Sequence, residues 1–175
     1  MIEDILVEIK KMTQTEFEKF LDYDGYARSL SKASGKPLEE MKRQSCIEME
    51  KLLAQGLLTP ENYLYSIFES KKDKNIGFFW LAIRLKNDEK TPYAYDIYIE
   101  KEYRQKGYAS QVMIMIEEKI ISLGYKEIEL YIFHHNKESR ALCDKLGFES
   151  NGGVLENIID ISENEKRKMR YWINL

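Results

Sequence analysis

The stretch from Tyr93 to Phe133 constrains the fold of this chain more than any other. Tyr93 through Glu100 is rich in β-branched and aromatic residues and reads as a strand. Gly107 to Leu123 then places Val112, Met113, Ile116, Ile120 and Leu123 at helical spacing, with Gly124 as the C-terminal stop. Glu127 to Phe133 alternates, with Ile128, Leu130 and Ile132 on one face, so a second strand follows. Strand, helix and strand in this order form a right-handed parallel crossover. A chain that contains one must bury a sheet under helices.

The flanks complete that sheet. Ile5, Val7 and Ile9 alternate as a first strand, and Gln14 to Leu30 is helical, with Phe17, Phe20 and Leu21 inward and a bend or break at Gly25. Pro37, followed by Glu39 and Glu40, suits the start of a second helix that ends at Gly56. Tyr63 to Glu69 and Ile76 to Arg84 are strands joined by the polar run 71–75, and a further polar turn ending at Pro92 leads to the strand at Tyr93. Such hairpin loops imply antiparallel pairing in this half, and Ile76 to Ile83, apolar on both faces, should be central. After Phe133 a short helix over 137–146 is capped by Asn136 and stopped by Gly147. Phe148 onward and Arg167 to Leu175 read as closing strands, with 151–153 and 161–164 as loops. The expected fold is α/β (mixed α+β), a central mixed sheet in the order β-α-α-β-β-β-α-β-α-β-β, forming one domain over residues 1–175.

Composition removes several functional classes. With 27 Lys and Arg against 30 Asp and Glu, the net charge is −3, without the basic excess that phosphate-backbone binding uses, so no nucleic-acid partner is expected. No apolar run approaches the ~18 residues of a membrane span. Cys46 and Cys143 lie far apart, and nothing before Met12 reads as a signal peptide, which points to the cytoplasm with reduced thiols. His134 and His135 are adjacent, and neighbours on a strand face opposite ways, so no metal is expected.

The loop between the crossover strand and its helix carries the chemistry. It reads Lys101-Glu102-Tyr103-Arg104-Gln105-Lys106-Gly107-Tyr108-Ala109. A strand that runs into a helix N-terminus through glycine and small residues presents unpaired N–H groups, a setting that attracts anions. Lys101, Arg104 and Lys106 add positive charge against Glu102, and a diphosphate would fit. On these features alone Gly107 could equally ease a turn beneath a solvated cationic face. Residue types exclude a nucleotide-hydrolase P-loop and a dinucleotide fingerprint.

Arg104-Gln105-Lys106-Gly107-Tyr108-Ala109 resembles the Gln/Arg-x-x-Gly-x-Gly/Ala signature of the GNAT superfamily of acyl-CoA-dependent N-acetyltransferases. A second run, Leu130-Tyr131-Ile132-Phe133-His134-His135-Asn136 followed by Ala141-Leu142-Cys143-Asp144-Lys145-Leu146-Gly147-Phe148, is similar to that family's Asn and Leu-Tyr-x-Lys-Leu-Gly-Phe segment. The likeness covers residues 76–150 by motif and the whole chain by element order, and is weakest over 14–62.

The resemblance implies acetyl-CoA as cosubstrate, no metal, and a primary amine of a small molecule or peptide as acceptor. It puts the cofactor pyrophosphate on the backbone of Arg104, Gln105, Lys106, Gly107, Tyr108 and Ala109, with Ser110. The pantetheine arm then lies along Ile97, Tyr98 and Ile99, where that strand splays from strand 127–133, and Asn136 contacts the arm or merely caps its helix. The Ile99 N–H would meet the thioester carbonyl. Cys143 stands where relatives carry a proton-donating Tyr; it would be an acid for the departing thiolate or a small core hydrophobe, with Tyr131 and Tyr95 as substitute donors. Glutamates used as base by some relatives are replaced by Tyr93 and Tyr95, strict alternation turns Asp96 to the opposite face, and Glu100 sits beside the loop. Asp22, Asp24 and Tyr26 could favour a cationic acceptor. The rival class is a catalytically silent acyl-CoA-binding module acting as sensor or partner subunit; a third reading is nucleotide binding by another α/β fold. Aromatics in the final strand 170–174 could pair across a homodimer.

Overall fold

In the computed structural model, which describes residues 4–133, 135–150 and 166–172, the first alternating segment forms β1 (Val7–Lys11) with Val7 fully buried. Thr13 and Glu16 close a capping box that starts α1 (Gln14–Asp22). The helix expected over 14–30 is in fact two. Tyr23 leaves α1 in an extended conformation, and its ring docks on Phe78 and Tyr98 with centroids 5.1 and 4.5 Å away. The chain restarts as α2 (Gly25–Ser34), and a Cβ at Gly25 would overlap the Tyr23 hydroxyl, so the Tyr23 ring keeps this position only against glycine. With α3 (Leu38–Leu52) behind Pro37, three helices precede the next strand where two were expected.

Then come β2 (Asn62–Glu69), β3 (Lys74–Lys86) and β4 (Glu89–Ile99), all antiparallel, with β3 buried from Ile76 to Ile83 as a central strand should be. The turn between β3 and β4 is tighter than the one expected to end at Pro92. Asn87 and Asp88, with φ of 50° and 64°, form a two-residue primed turn, and Pro92 is buried inside β4 opposite Ile83. The crossover follows as α4 (Tyr108–Ser122) and β5 (Glu127–Phe133), the latter parallel to β4. The chain continues into α5 (Lys137–Lys145), β6 (Glu149–Ser150) and β7 (Lys166–Trp172). The seven described strands lie in the order β1-β2-β3-β4-β5-β7-β6. The loops expected at 151–153 and 161–164, and Ile173 and Asn174 of the last strand, fall outside the described residues.

The two faces of the sheet are packed differently. Val112, Met113, Ile116 and Ile120 of α4 meet Ile67, Phe79, Leu81, Ile128 and Ile132 in the main core, which also takes Cys143. On the other face Phe17 and Phe20 of α1 pack on Phe78 and Trp80, and a small cluster of Ala27, Leu30 and Met41 ties α2 to α3. No described helix is long and apolar enough to cross a membrane.

Candidate active site

Among the described residues β4 and β5 pair only at Tyr93 with Glu129 and Ala94 with Leu130, and beyond Ala94 they diverge. The backbone of β4 from Tyr95 to Ile99 therefore has no described strand partner on the side toward β5. The expected splay is present, and it opens into a cleft of about 910 Å³ that runs from the N-terminus of α4 to the inner walls of α2 and α3.

At one end of this cleft lies the loop. Gln105 and Gly107 take positive φ of 61° and 83°, which turns successive N–H groups toward one concavity. Gly107 is the N-cap of the 15-residue α4 and no side chain caps it, so the first amides of the helix are left open, with its dipole behind them. Two of the three cationic side chains are used otherwise. Arg104 Nε donates to the Ile99 carbonyl at 2.8 Å, its Nη1 lies 3.7 Å from Glu138 Oε2, and Lys106 Nζ donates to the Glu102 carbonyl at 2.8 Å. The site therefore offers an anion its backbone amides, while Arg104 fastens the loop to the end of β4. Tyr108, Ala109, Ser110, Ile97, Tyr98 and Ile99 all line the cleft. Asn136 lines it too, with its side-chain oxygen accepting from Ser139 N at 3.1 Å as the cap of α5.

The other end was not legible. Between Trp80 and Leu81 the register with β4 shifts: Trp80 opposes Asp96 while Leu81 opposes Ala94, so Tyr95 is an extra residue. This bulge overturns the expectation that Asp96 points away from Tyr93 and Tyr95. Trp80 and Tyr98, its cross-strand and near-strand companions, pack on the α1 face, and Asp96 joins them there. Burial among these rings pushes the Asp96 carboxyl up to about 7, opposed by a weaker hydrogen bond from the Ile97 N–H. Burial and the nearby Asp96 charge push the Tyr23 phenol up to about 12, which places the two groups within electrostatic reach. A bulge one residue before a carboxylate leaves no periodic signal, although an acid in an aromatic strand is itself unusual.

The expected proton donors separate onto the two faces. Cys143 also lines the cleft but is 5% exposed and packed in the main core, and burial pushes its thiol up to about 12. Tyr131 alternates with the core residues Leu130 and Ile132 and faces the other way, its ring centroid 5.8 Å from that of Tyr93. Tyr95 stacks on Trp80 at 4.2 Å and meets Tyr93 edge-on at 4.7 Å. Glu100 lies 3.7 Å from Lys74 at the rim of the loop, and Asp24 pairs with Arg28 at 2.9 Å and with Lys42 at 3.7 Å.

The sequence model of the acetyltransferase (GNAT) family matches residues 28–148. A Bacillus subtilis protein named uncharacterized N-acetyltransferase YycN is 28% identical over 151 residues, which span 85% of this chain and 96% of that protein. Its crystal structure superposes with a TM-score of 0.78, covering 86% of this chain and 97% of that one. The PaiA N-acetyltransferase of Thermoplasma acidophilum, solved with coenzyme A, shares the fold at 20% identity and a TM-score of 0.66, over 96% and 99% of the two chains. With a splayed parallel pair, an uncapped helix N-terminus at the mouth of the splay and a family match over most of its length, this chain belongs to the GNAT family of acetyltransferases.

Proposed function

We propose that this enzyme transfers the acetyl group of acetyl-CoA to a primary amine of a small molecule or peptide, by direct attack in a ternary complex, in the cytoplasm. The observation that carries this reading is the continuity of the cleft. It joins an anion site made of amides, through the gap between β4 and β5, to a chamber holding a carboxyl near neutrality. The concave run of N–H groups from Gln105 to Ser110 fits a pyrophosphate, and the open edge of β4 at Ile97 to Ile99 fits an amide-bearing arm laid alongside it as an extra strand.

Asp96 is then the general base. An alkylamine is protonated at neutral pH, and a carboxylate with a pKa near 7 can take its proton directly or through one water. The freed amine attacks the thioester carbon, the Ile99 N–H receives the charge that builds on the carbonyl oxygen, and the carbon–sulfur bond breaks. The departing thiolate needs a proton and the new amide nitrogen must shed its second one, so the group that protonates the sulfur can recover a proton from the nitrogen. A thiol pushed to about 12 gives its proton up reluctantly, which favours Tyr131, at the β5 wall of the splay, over Cys143. Two free cysteines suit a reducing compartment. Thiol release from acetyl-CoA against a panel of amines tests the reading. Release with at least one amine, depending on Asp96, is expected; CoA binding without release on any amine would favour the silent module.

A further inference from the structure

Arg84 projects from β3 into the acceptor end of the cleft, where the transfer reaction leaves it without a role. Its guanidinium lies over the Tyr93 ring at 3.5 Å and 5.9 Å from the Tyr131 ring, so it sits against both strands that part. The acid beside it is Glu129, only 1% exposed, but Lys86 Nζ already contacts both Glu129 oxygens at 3.0 and 3.1 Å. Arg84 Nη2 stands 3.8 Å from Glu129 Oε2, beyond hydrogen-bond range, and its buried Nε has no hydrogen-bond partner among the described residues. Two cations thus share one carboxylate, and Arg170 sits opposite Glu129 in the register with β7. A guanidinium with unspent donors, fixed in orientation by an aromatic face, is suited to bind a planar carboxylate through two parallel hydrogen bonds.

We infer that Arg84 selects an acceptor whose amine is joined by a flexible spacer to a carboxylate, an ω-amino acid or the equivalent end of a short peptide. This deepens the amine-transfer reading and rests on it. Trp80, which opposes Asp96, is four residues before Arg84 on β3, about 13 Å at ~3.3 Å per residue, and the Arg84 side chain leans back over Tyr93. The two charged ends of the acceptor therefore face Asp96 and Arg84 from opposite ends of one aromatic chamber. A plain α-amino acid is too short to reach both. A diamine of the same length would place its second ammonium against Arg84.

The experiment compares 6-aminohexanoate, hexylamine and 1,6-diaminohexane as acceptors, and hexanoate as a binding probe titrated calorimetrically into the CoA-loaded protein. The wild-type enzyme should favour 6-aminohexanoate over hexylamine in kcat/KM. Arg84→Met should cut that preference about 10- to 100-fold, the size of one charge-assisted contact, mainly through KM. Arg84→Lys should restore part of it. Hexanoate should bind the wild-type protein and not the Met variant. Equal loss on all three amines in a folded Met variant, or a wild-type preference for the diamine, would overturn the inference. If no amine is acetylated, the transfer reading fails, and hexanoate binding that does not depend on Arg84 would then refute the inference separately.

Discussion

The two ends of the cleft are built on opposite principles. The loop before α4 works chiefly with its backbone, since Arg104 and Lys106 spend their side chains on the Ile99 and Glu102 carbonyls and leave a row of amides facing a ligand. The acceptor end works with side chains, because Asp96, Tyr23, Tyr93 and Arg84 are held by ring contacts and burial. The first kind of site is indifferent to most residue types but depends on backbone conformation. The second tolerates conformational adjustment but not replacement of one carboxyl.

The largest effect is therefore expected at Asp96. Asp96→Asn should lower kcat/KM by about 10²- to 10⁴-fold, the usual contribution of a positioned base, while leaving the dissociation constant of CoA close to wild type. In wild-type enzyme the pH profile of kcat/KM should rise through an apparent pKa near 7, and the variant should lose that limb. A CoA affinity that falls along with turnover would mean that the two ends are not separable.

At the loop the expected sensitivity is reversed. Gly107→Val forces a β-branched residue to a φ of 83° and should weaken CoA binding roughly 10-fold or more, since such strain costs about 1–2 kcal/mol. Lys106→Ala, which removes a full charge, should cost less than about threefold by titration calorimetry, because its ammonium is tied to the Glu102 carbonyl. A larger loss for the lysine than for the glycine would return the site to its cations.

This contrast also explains what was legible in the sequence. A backbone site leaves its mark in residue types: Gly107 where φ must be positive, Ala109 and Ser110 where a helix must begin openly, Asn136 where the next helix is capped. Element order and the splay could be read because periodicity and hairpin loops survive in any half-buried sheet. The acceptor end depends on one inserted residue, Tyr95, which moves Asp96 across the sheet without disturbing the apolar pattern around it. The break at Gly25 was readable, but not its reason, which is the docking of Tyr23 on rings distant in sequence. Register shifts and ring docking arise from tertiary packing, and a periodic pattern does not carry them.

The raised Asp96 pKa has a thermodynamic consequence that is smaller than the kinetic one and independent of any substrate. An unfolded aspartate titrates near 3.9, whereas burial pushes the folded group up to about 7, so between these values the folded protein binds more protons than the unfolded chain. Its contribution must therefore fall as pH rises from about 4 to 7 and stay level above that. Asp96→Asn removes the penalty, and thermal melts should show the variant more stable than wild type at pH 8 by up to about 4 kcal/mol, with the gap closing toward pH 4. Equal stability at both pH values would mean that the carboxyl is solvated and that the bulge has not sheltered it.

The smallest effect is expected at Cys143, where motif and environment pull apart. Its place in the motif suggests a proton donor, but its neighbours are Ile132, Phe148 and the inward face of α4, and burial holds the thiol at about 12. A group that binds its proton this tightly is a poor donor to a thiolate whose own pKa is near the ordinary thiol value of ~8.5, because the transfer runs uphill by several factors of ten. Cys143→Ala should therefore keep turnover within about threefold and lose about 1 kcal/mol of stability from the vacated volume, seen as a fall of roughly 2–4 °C in melting temperature. Tyr131→Phe, which removes a hydroxyl and almost no volume, should do the opposite, slowing kcat about 10-fold or more with little change in melting temperature. If the Cys143 variant were the slow one, the proton would be delivered from the α4 side of the sheet, and the acceptor face would supply only the base.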